Sequence, residues 1–245
     1  IIIIGESALE LQSGKFIFEE IKNYLINNNF INEEWNALNV LVQNASTVGL
    51  LDLKMLSHQE DNNFVFFDKL NSNKFKFLYL LGSDNLEFKK NNEFIVYQGS
   101  HGDRGAELAD VIFPSSTYTE QNGLYSNLEG RVQECKKASY PIGESLEDWK
   151  IFNLILKKLG KIDCLNNFET LRKETVNSVI NFSQINNLPK RLINKNDKVN
   201  SEFYSEEILI KKLDYYYTNS ISRSSKTMSE CRQINEKIPK TGTNN

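Results

Sequence analysis

Two histidines and three cysteines among 245 residues leave this chain poor in the side chains that hold metals. Cys135, Cys164 and Cys231 lie 29 and 67 residues apart, so no CxxC or CxxxC pair exists to seed an iron–sulfur cluster or a structural zinc site. They read as unpaired thiols of a reducing compartment. His58 has no second donor at helical spacing, and a metal site there is not expected. An excess of positive charge is also missing. The net charge of −3 argues against a whole-protein attraction to nucleic acid. No apolar run is long enough to span a bilayer. The opening "IIII" is too short for a signal-peptide core and lacks a basic flank, so it reads as a buried strand. Alanine is scarce at 6 residues while asparagine reaches 31, a bias of AT-rich codons and so of an AT-rich, organelle-like genome. There is no internal repeat and no heptad pattern.

What is present is the profile of a globular domain, 40% hydrophobic and 25% charged. "IIIIGESAL" predicts a strand turning at Gly5, followed by helices over 16–26 and, around Trp35, over 33–42. Two further apolar strands, "FKFLYLLGSD" (75–84) and "EFIVYQGSHGD" (93–103), end in glycine-containing turns. A fourth, 111–113, halts at Pro114, which cannot continue a central ladder. Strands without polar alternation, interleaved with helices, predict an α/β fold with a parallel, doubly wound sheet flanked by helices. "SLEDWKIFNLILKKLG" reads as the cleanest helix, with Ser145 as its N-cap and Gly160 as its stop. Helices are expected over 168–182 and 202–215, separated by a polar connector. From Thr218 the chain reads as an irregular, surface-lying or partly flexible tail. The expected organisation is thus an α/β domain over 1–160, a helical extension over 161–217 and the tail over 218–245.

Candidate chemistry is thin. Gly99, Gly102 and Gly105 are spaced G-x-x-G-x-x-G, which is not the G-x-G-x-x-G of a dinucleotide site. His101 and Asp103 in that turn have no nucleophile in a G-x-S-x-G setting nearby, so a hydrogen-bonded turn is the better reading. Glu120, Glu129 and Arg131 form a carboxylate–guanidinium set of the kind that pins loops, with Asn122 and Asn127 placed to satisfy loop backbone. Tyr215, Tyr216 and Tyr217 read as an aromatic cluster packing the tail rather than as a nucleic-acid platform.

One long stretch carries a resemblance. "ADVIFPSSTYTEQNGLYSNLEGRVQ", 109–133, is similar to a motif of the molybdopterin-oxidoreductase superfamily: Ala-Asp-Val, two apolar residues, Pro, and later Glu-x-Arg-x-Gln. The flanking "YQGSHGDRGAELADVIFP", "EDWKIF" and "YYYTNSISRSSKTMSEC" resemble the branch of that superfamily represented by the large iron–sulfur subunit of respiratory complex I. The resemblance implies a structural part of the matrix arm of a mitochondrial NADH:ubiquinone oxidoreductase, without transmembrane insertion or nucleic-acid contact. Iron–sulfur clusters and FMN are then expected in partner chains. It implies no catalytic, cofactor-binding or metal-ligating residue here, because the family's cluster-binding motifs do not occur in this sequence. The expected partner is the cluster-bearing part of the same subunit, and either a split gene or a chain trimmed from a longer one would accommodate the absence of an initial methionine. On this reading His101, Asp103, Asp110, Glu120, Asn127, Glu129, Arg131 and Arg223 order loops or dock subunits. The competing expectations are a fragment of an active molybdopterin-dependent oxidoreductase and a free-standing nucleotide-binding module using the 99–105 turn as a phosphate nest.

Overall fold

The computed structural model describes residues 1–55, 68–83, 86, 88–161, 165, 167–189, 201–205 and 214–237. In chain order the elements are β1 (Ile2–Gly5), α1 (Glu6–Leu9), α2 (Gly14–Asn27), β2 (Leu38–Leu41), α3 (Thr47–Asp52), β3 (Phe77–Leu81) and β4 (Phe94–Gly99). There follow α4 (Arg104–Leu108), β5 (Val111–Pro114), β6 (Gly123–Ser126), β7 (Val132–Cys135) and α5 (Asp148–Lys158). The last are α6 (Phe168–Ser178), a 3-10 turn (Ile180–Ser183), α7 (Ser220–Ser224) and α8 (Lys226–Lys237). The fold is mixed α/β with parallel sheets flanked by helices. His58, Cys164, the polar connector before 201 and the end of the tail lie outside the described residues.

Two compact units divide the chain, and each draws on three separate segments. The first comprises 1–58, 122–136 and 165–210. Its β1 and β2 pair in parallel, Ile2 opposite Leu38 through Gly5 opposite Leu41. The antiparallel hairpin β6–β7 belongs to the same unit, with Val132 fully buried. The stretch 201–205 lies along α2. Ser13 Oγ donates to the Tyr204 carbonyl at 2.9 Å and accepts from the Tyr204 amide at 2.8 Å, while Phe16 and Phe203 meet edge to face.

The second unit comprises 59–121, 137–164 and 211–245. Its sheet runs β3-β4-β5, all parallel. Leu78, Leu80, Ile95 and Tyr97 bury one face together with Leu70, backed by Ala106 and Leu108 of α4. Each such aliphatic side chain contributes on the order of 2 kcal/mol by leaving water. Tyr79 on the other face stacks on Phe152 of α5 at 5.4 Å. Tyr97 explains the glycine at 105: a Cβ there would sit 2.7 Å from the Ser83 carbonyl and 2.9 Å from the Tyr97 ring. Pro114 pairs with Gly99 at the end of β5, which is an edge strand among the described residues, where a missing N–H is tolerated.

Several local expectations need correction. Residues 33–42 are not helical. Asn32 Oδ1 accepts from the amides of Glu34 and Trp35, a side-chain turn that competes with helix, and "LNVL" then joins β1 as β2. Ser145 is not an N-cap, since its hydroxyl donates to the Ile142 carbonyl and α5 starts at Asp148. Phe168–Phe182 breaks into α6 and the 3-10 turn, and the described ends of 202–215 are not helical. Beyond the expected strand at 111–113, now β5, the stretch 109–133 also holds β6 and the start of β7. Within the tail, Asn219 and Ser222 form a reciprocal capping box that starts α7, and α8 runs on to Lys237.

At the start of α5, Glu147 is nearly buried and accepts from the Trp149 indole at 2.7 Å, with Lys137 Nζ at 3.3 Å and Lys150 Nζ at 3.7 Å. Burial pushes its carboxyl up, but the indole hydrogen bond and the two ammonium groups outweigh it and hold the net value below the usual range. A folded carboxylate lowered in this way adds stability above its unfolded value of roughly 4.3, and that stability disappears as pH falls through the folded value. Thermal melting is therefore expected to decline below about pH 4.5, and Glu147→Gln should flatten that part of the pH–stability curve.

Candidate functional site

The carboxyl ends of β3 and β4, where α/β sheets gather ligands and partners, carry a buried polar network. Gln98 has no exposed surface. Its amide oxygen accepts from the Tyr79 hydroxyl and its Nε2 donates to Asp148 Oδ1 at 2.6 Å. Gln121 Nε2 donates to the other Asp148 oxygen at 3.1 Å. Burial, and after it the charge of Asp148, push the Tyr79 phenol up, so it remains a donor at neutral pH. This network ties the 117–121 turn to the first turn of α5. Sequence reading missed it, although a glutamine inside the apolar run "FIVYQG" was the available signal.

Beside it, Asp103 occupies the N-cap of α4. One oxygen accepts from the Arg104 amide at 2.9 Å, the other from Arg223 Nε at 2.5 Å. Arg223 also donates to the Tyr217 carbonyl, and Arg232 lies over the Tyr217 ring at 5.0 Å. His101 is a turn residue: its carbonyl accepts from the Tyr97 hydroxyl at 2.9 Å and its Nδ1 lies 2.9 Å from Ser100 Oγ. Asp110 pairs with Lys90 at 2.6 Å and accepts from the Ile95 amide at 2.8 Å. The hydrogen bond from Lys90, then that from Ile95, lower its carboxyl. Glu120 accepts from the Thr117 amide. Of the eight residues singled out, the structure joins Asp103 to Arg223 by an ion pair and Asn127 to the backbone of Glu129 and Arg131.

In the first unit, Asn127 organises the tip of the β6–β7 hairpin. Its Oδ1 accepts from the amides of Glu129 at 3.0 Å and Arg131 at 2.9 Å. Arg131 makes no ion pair among the described residues, contrary to the carboxylate–guanidinium set expected from sequence. Its guanidinium donates instead to the carbonyl of Asn186, a residue with a left-handed φ of 67°. Asn127→Ala is expected to cost about 1 kcal/mol by removing the side-chain acceptor of two backbone amides, read as faster proteolysis at 127–131 and a lower melting temperature. Flanking the hairpin is a cleft of about 450 Å³, lined by Gln43, Asn44, Val48, Tyr125, Ser126 and Leu128 among others. Among the described residues, the Ser126 hydroxyl there is buried without a partner.

Short parallel strands flanked by helices, with a polar network and a capped turn at the carboxyl ends of β3 and β4, define a mixed α/β protein. The comparisons with known proteins make this specific. The chain belongs to the molybdopterin oxidoreductase family, whose model matches residues 1–158, and residues 187–231 match the model for the C-terminal part of an NADH-ubiquinone oxidoreductase subunit. It is 36% identical over 239 residues to the NADH-ubiquinone oxidoreductase 75 kDa subunit of Reclinomonas americana, covering 96% of this chain and 34% of that protein. The mitochondrial 78 kDa subunit of Candida albicans is 37% identical over 243 residues, 94% of this chain and 32% of the relative. An NADH-quinone oxidoreductase subunit of Rickettsia bellii is 35% identical over 248 residues, 99% of this chain and 34% of the relative. The chain spans about a third of the length of these curated relatives.

A phosphorylated, metal-bearing pterin calls for cationic donors and a soft metal ligand. The cleft offers amides, hydroxyls and apolar side chains, but no thiolate, imidazole or cation. Among the described residues no group of three or more His, Cys, Asp or Glu is placed to hold a metal. These residues do not fit that group. Among them too, no helix is long and apolar enough to cross a membrane.

Proposed function

We propose that this chain is the molybdopterin-oxidoreductase-like part of the large subunit of a mitochondrial NADH:ubiquinone oxidoreductase, on the matrix side of the inner membrane. It holds no redox centre and contributes no catalytic residue. It supplies α/β units against which the cluster-bearing part of the subunit, with its iron–sulfur clusters and the neighbouring flavin chain, is held. Electrons pass from NADH through those centres to quinone without entering this chain. Its eight polar residues serve as loop-ordering and docking groups, with Asp103 and Arg223 fastening the 218–237 helices to the turn before α4. The observation that carries the reading is the pairing, along one chain, of the family match over 1–158 with the C-terminal oxidoreductase match over 187–231. Affinity isolation of the chain from its native source, followed by mass spectrometry, tests it. Recovery with cluster-bearing and flavin-bearing polypeptides in an NADH-oxidising particle is expected. Recovery without them would overturn the reading.

A further inference from the structure

The parallel pair β1–β2 is too small to stand as a finished sheet. Parallel strands occur with both faces covered, and a two-stranded pair is stable only where helices or further strands pack on it. Along β1, Ile4 is buried while Ile3 is 64% exposed. The register sets Ile3 beside Asn39 and Gly5 beside Leu41, so Ile3, Asn39 and Leu41 share one face, and Leu41 is 57% exposed. The Ile2 amide donates to the Ala37 carbonyl at 2.7 Å. In a parallel ladder this turns the backbone of Ile2 and Ile4 toward β2 and that of Ile3 and Gly5 toward the opposite edge. No strand among the described residues pairs with that edge. Nor does "IIIG" carry the charge or proline by which free edges are protected. An uncharged, β-branched edge with an apolar face selects a partner of like chemistry, extended and apolar.

We infer that the cluster-bearing part of the same assembly completes this sheet, laying a parallel apolar strand along the free edge of β1 and covering Ile3 and Leu41. The inference rests on the proposed function, and the relatives, about three times the length of this chain, provide the polypeptide it requires. A second copy of the chain fits less well. Twofold self-pairing of β1 would be antiparallel, and strand pairing alone would leave the Ile3 face uncovered.

The test compares Ile3→Lys and Leu41→Lys with Leu159→Lys, an exposed apolar residue of the other unit, by the yield of assembled NADH-oxidising arm. A fall of about tenfold is expected for each of the first two, with the third at the wild-type level. Hydrogen exchange on the assembled wild-type arm gives a reading that no misfolded variant can blur: the amides of Ile3 and Gly5, which face the free edge, should exchange as slowly as those of β4. Normal assembly with Ile3→Lys, equal loss with Leu159→Lys, rapid exchange at Ile3 and Gly5, or a cross-link from position 3 to a second copy would each overturn the inference. If the wild-type chain is itself absent from the arm, the functional reading falls first. If wild type and Ile3→Lys both assemble, only the docking surface is lost.

Discussion

Asp103→Ala is expected to lower the stability of the second unit by about 3 kcal/mol, combining a lost helix N-cap worth about 1 kcal/mol with a lost charge-assisted bond worth about 2. Its ion pair with Arg223 is only partly shielded, the two side chains being 23% and 17% exposed, so the larger cost of a fully buried broken pair does not apply. For a body of this size the loss corresponds to a melting shift of roughly 6–10 °C. Asp103→Asn retains an acceptor for the Arg104 amide but not the charge, and should lose about half as much. Because Arg223 anchors the segment carrying α7 and α8, protease cleavage between 218 and 226 should rise in the same order. A shift of about 1 °C or less in Asp103→Ala would mean the clamp is not structural.

Gln98→Leu is the second large effect. Leucine is similar in volume but leaves the Tyr79 hydroxyl without its acceptor and strips Asp148 of its 2.6 Å donor. An unsatisfied buried group costs about 1–3 kcal/mol, so the expected loss is about 3 kcal/mol for the two together. Gln98→Glu should be worse at neutral pH, because its carboxylate faces Asp148 in a buried site. That variant has a definite pH signature. Burial and Asp148 raise the pKa of the new glutamate above its unfolded value, so the penalty is present at neutral pH and is relieved as acid protonates it. Melting curves from about pH 7 to about pH 5 check the sign: Gln98→Glu should gain stability relative to Gln98→Leu. Parallel curves for the two would show that the amide network is dispensable.

The sheet was legible because parallel strands announce themselves as unbroken apolar runs, as in "FLYLL" and "FIVY". The helix 148–158 was legible through its apolar stripe and the glycine after it, Gly160, whose φ is 74°. Residues 33–42 misled because Trp35, Leu38 and Val42 fall at the i, i+3, i+7 positions of a helical stripe, while Asn32 diverts the backbone through side-chain hydrogen bonds that a periodicity does not register. The hairpin 123–135 was hidden by its polar tip and short strands. The tail helices were hidden by a composition rich in Ser, Lys and Thr, although Asn219-x-x-Ser222 was a readable start signal. Glycine spacing around 99–105 argued against a dinucleotide fingerprint, yet it gave no hint that a tyrosine ring and a backbone carbonyl fill the space at Gly105. Sequence reading grouped Arg131 with carboxylates, whereas its guanidinium reaches the carbonyl of Asn186, 55 residues away and invisible to any local pattern.

The central claim is that this chain holds no redox group of its own, and elemental and pterin analysis of the isolated native particle containing it measures this most directly. The particle is expected to yield iron, acid-labile sulfide and flavin attributable to partner polypeptides, with molybdenum, tungsten and pterin below stoichiometric amounts. Stoichiometric molybdenum or tungsten that remains with this chain when the particle is dissociated would contradict it.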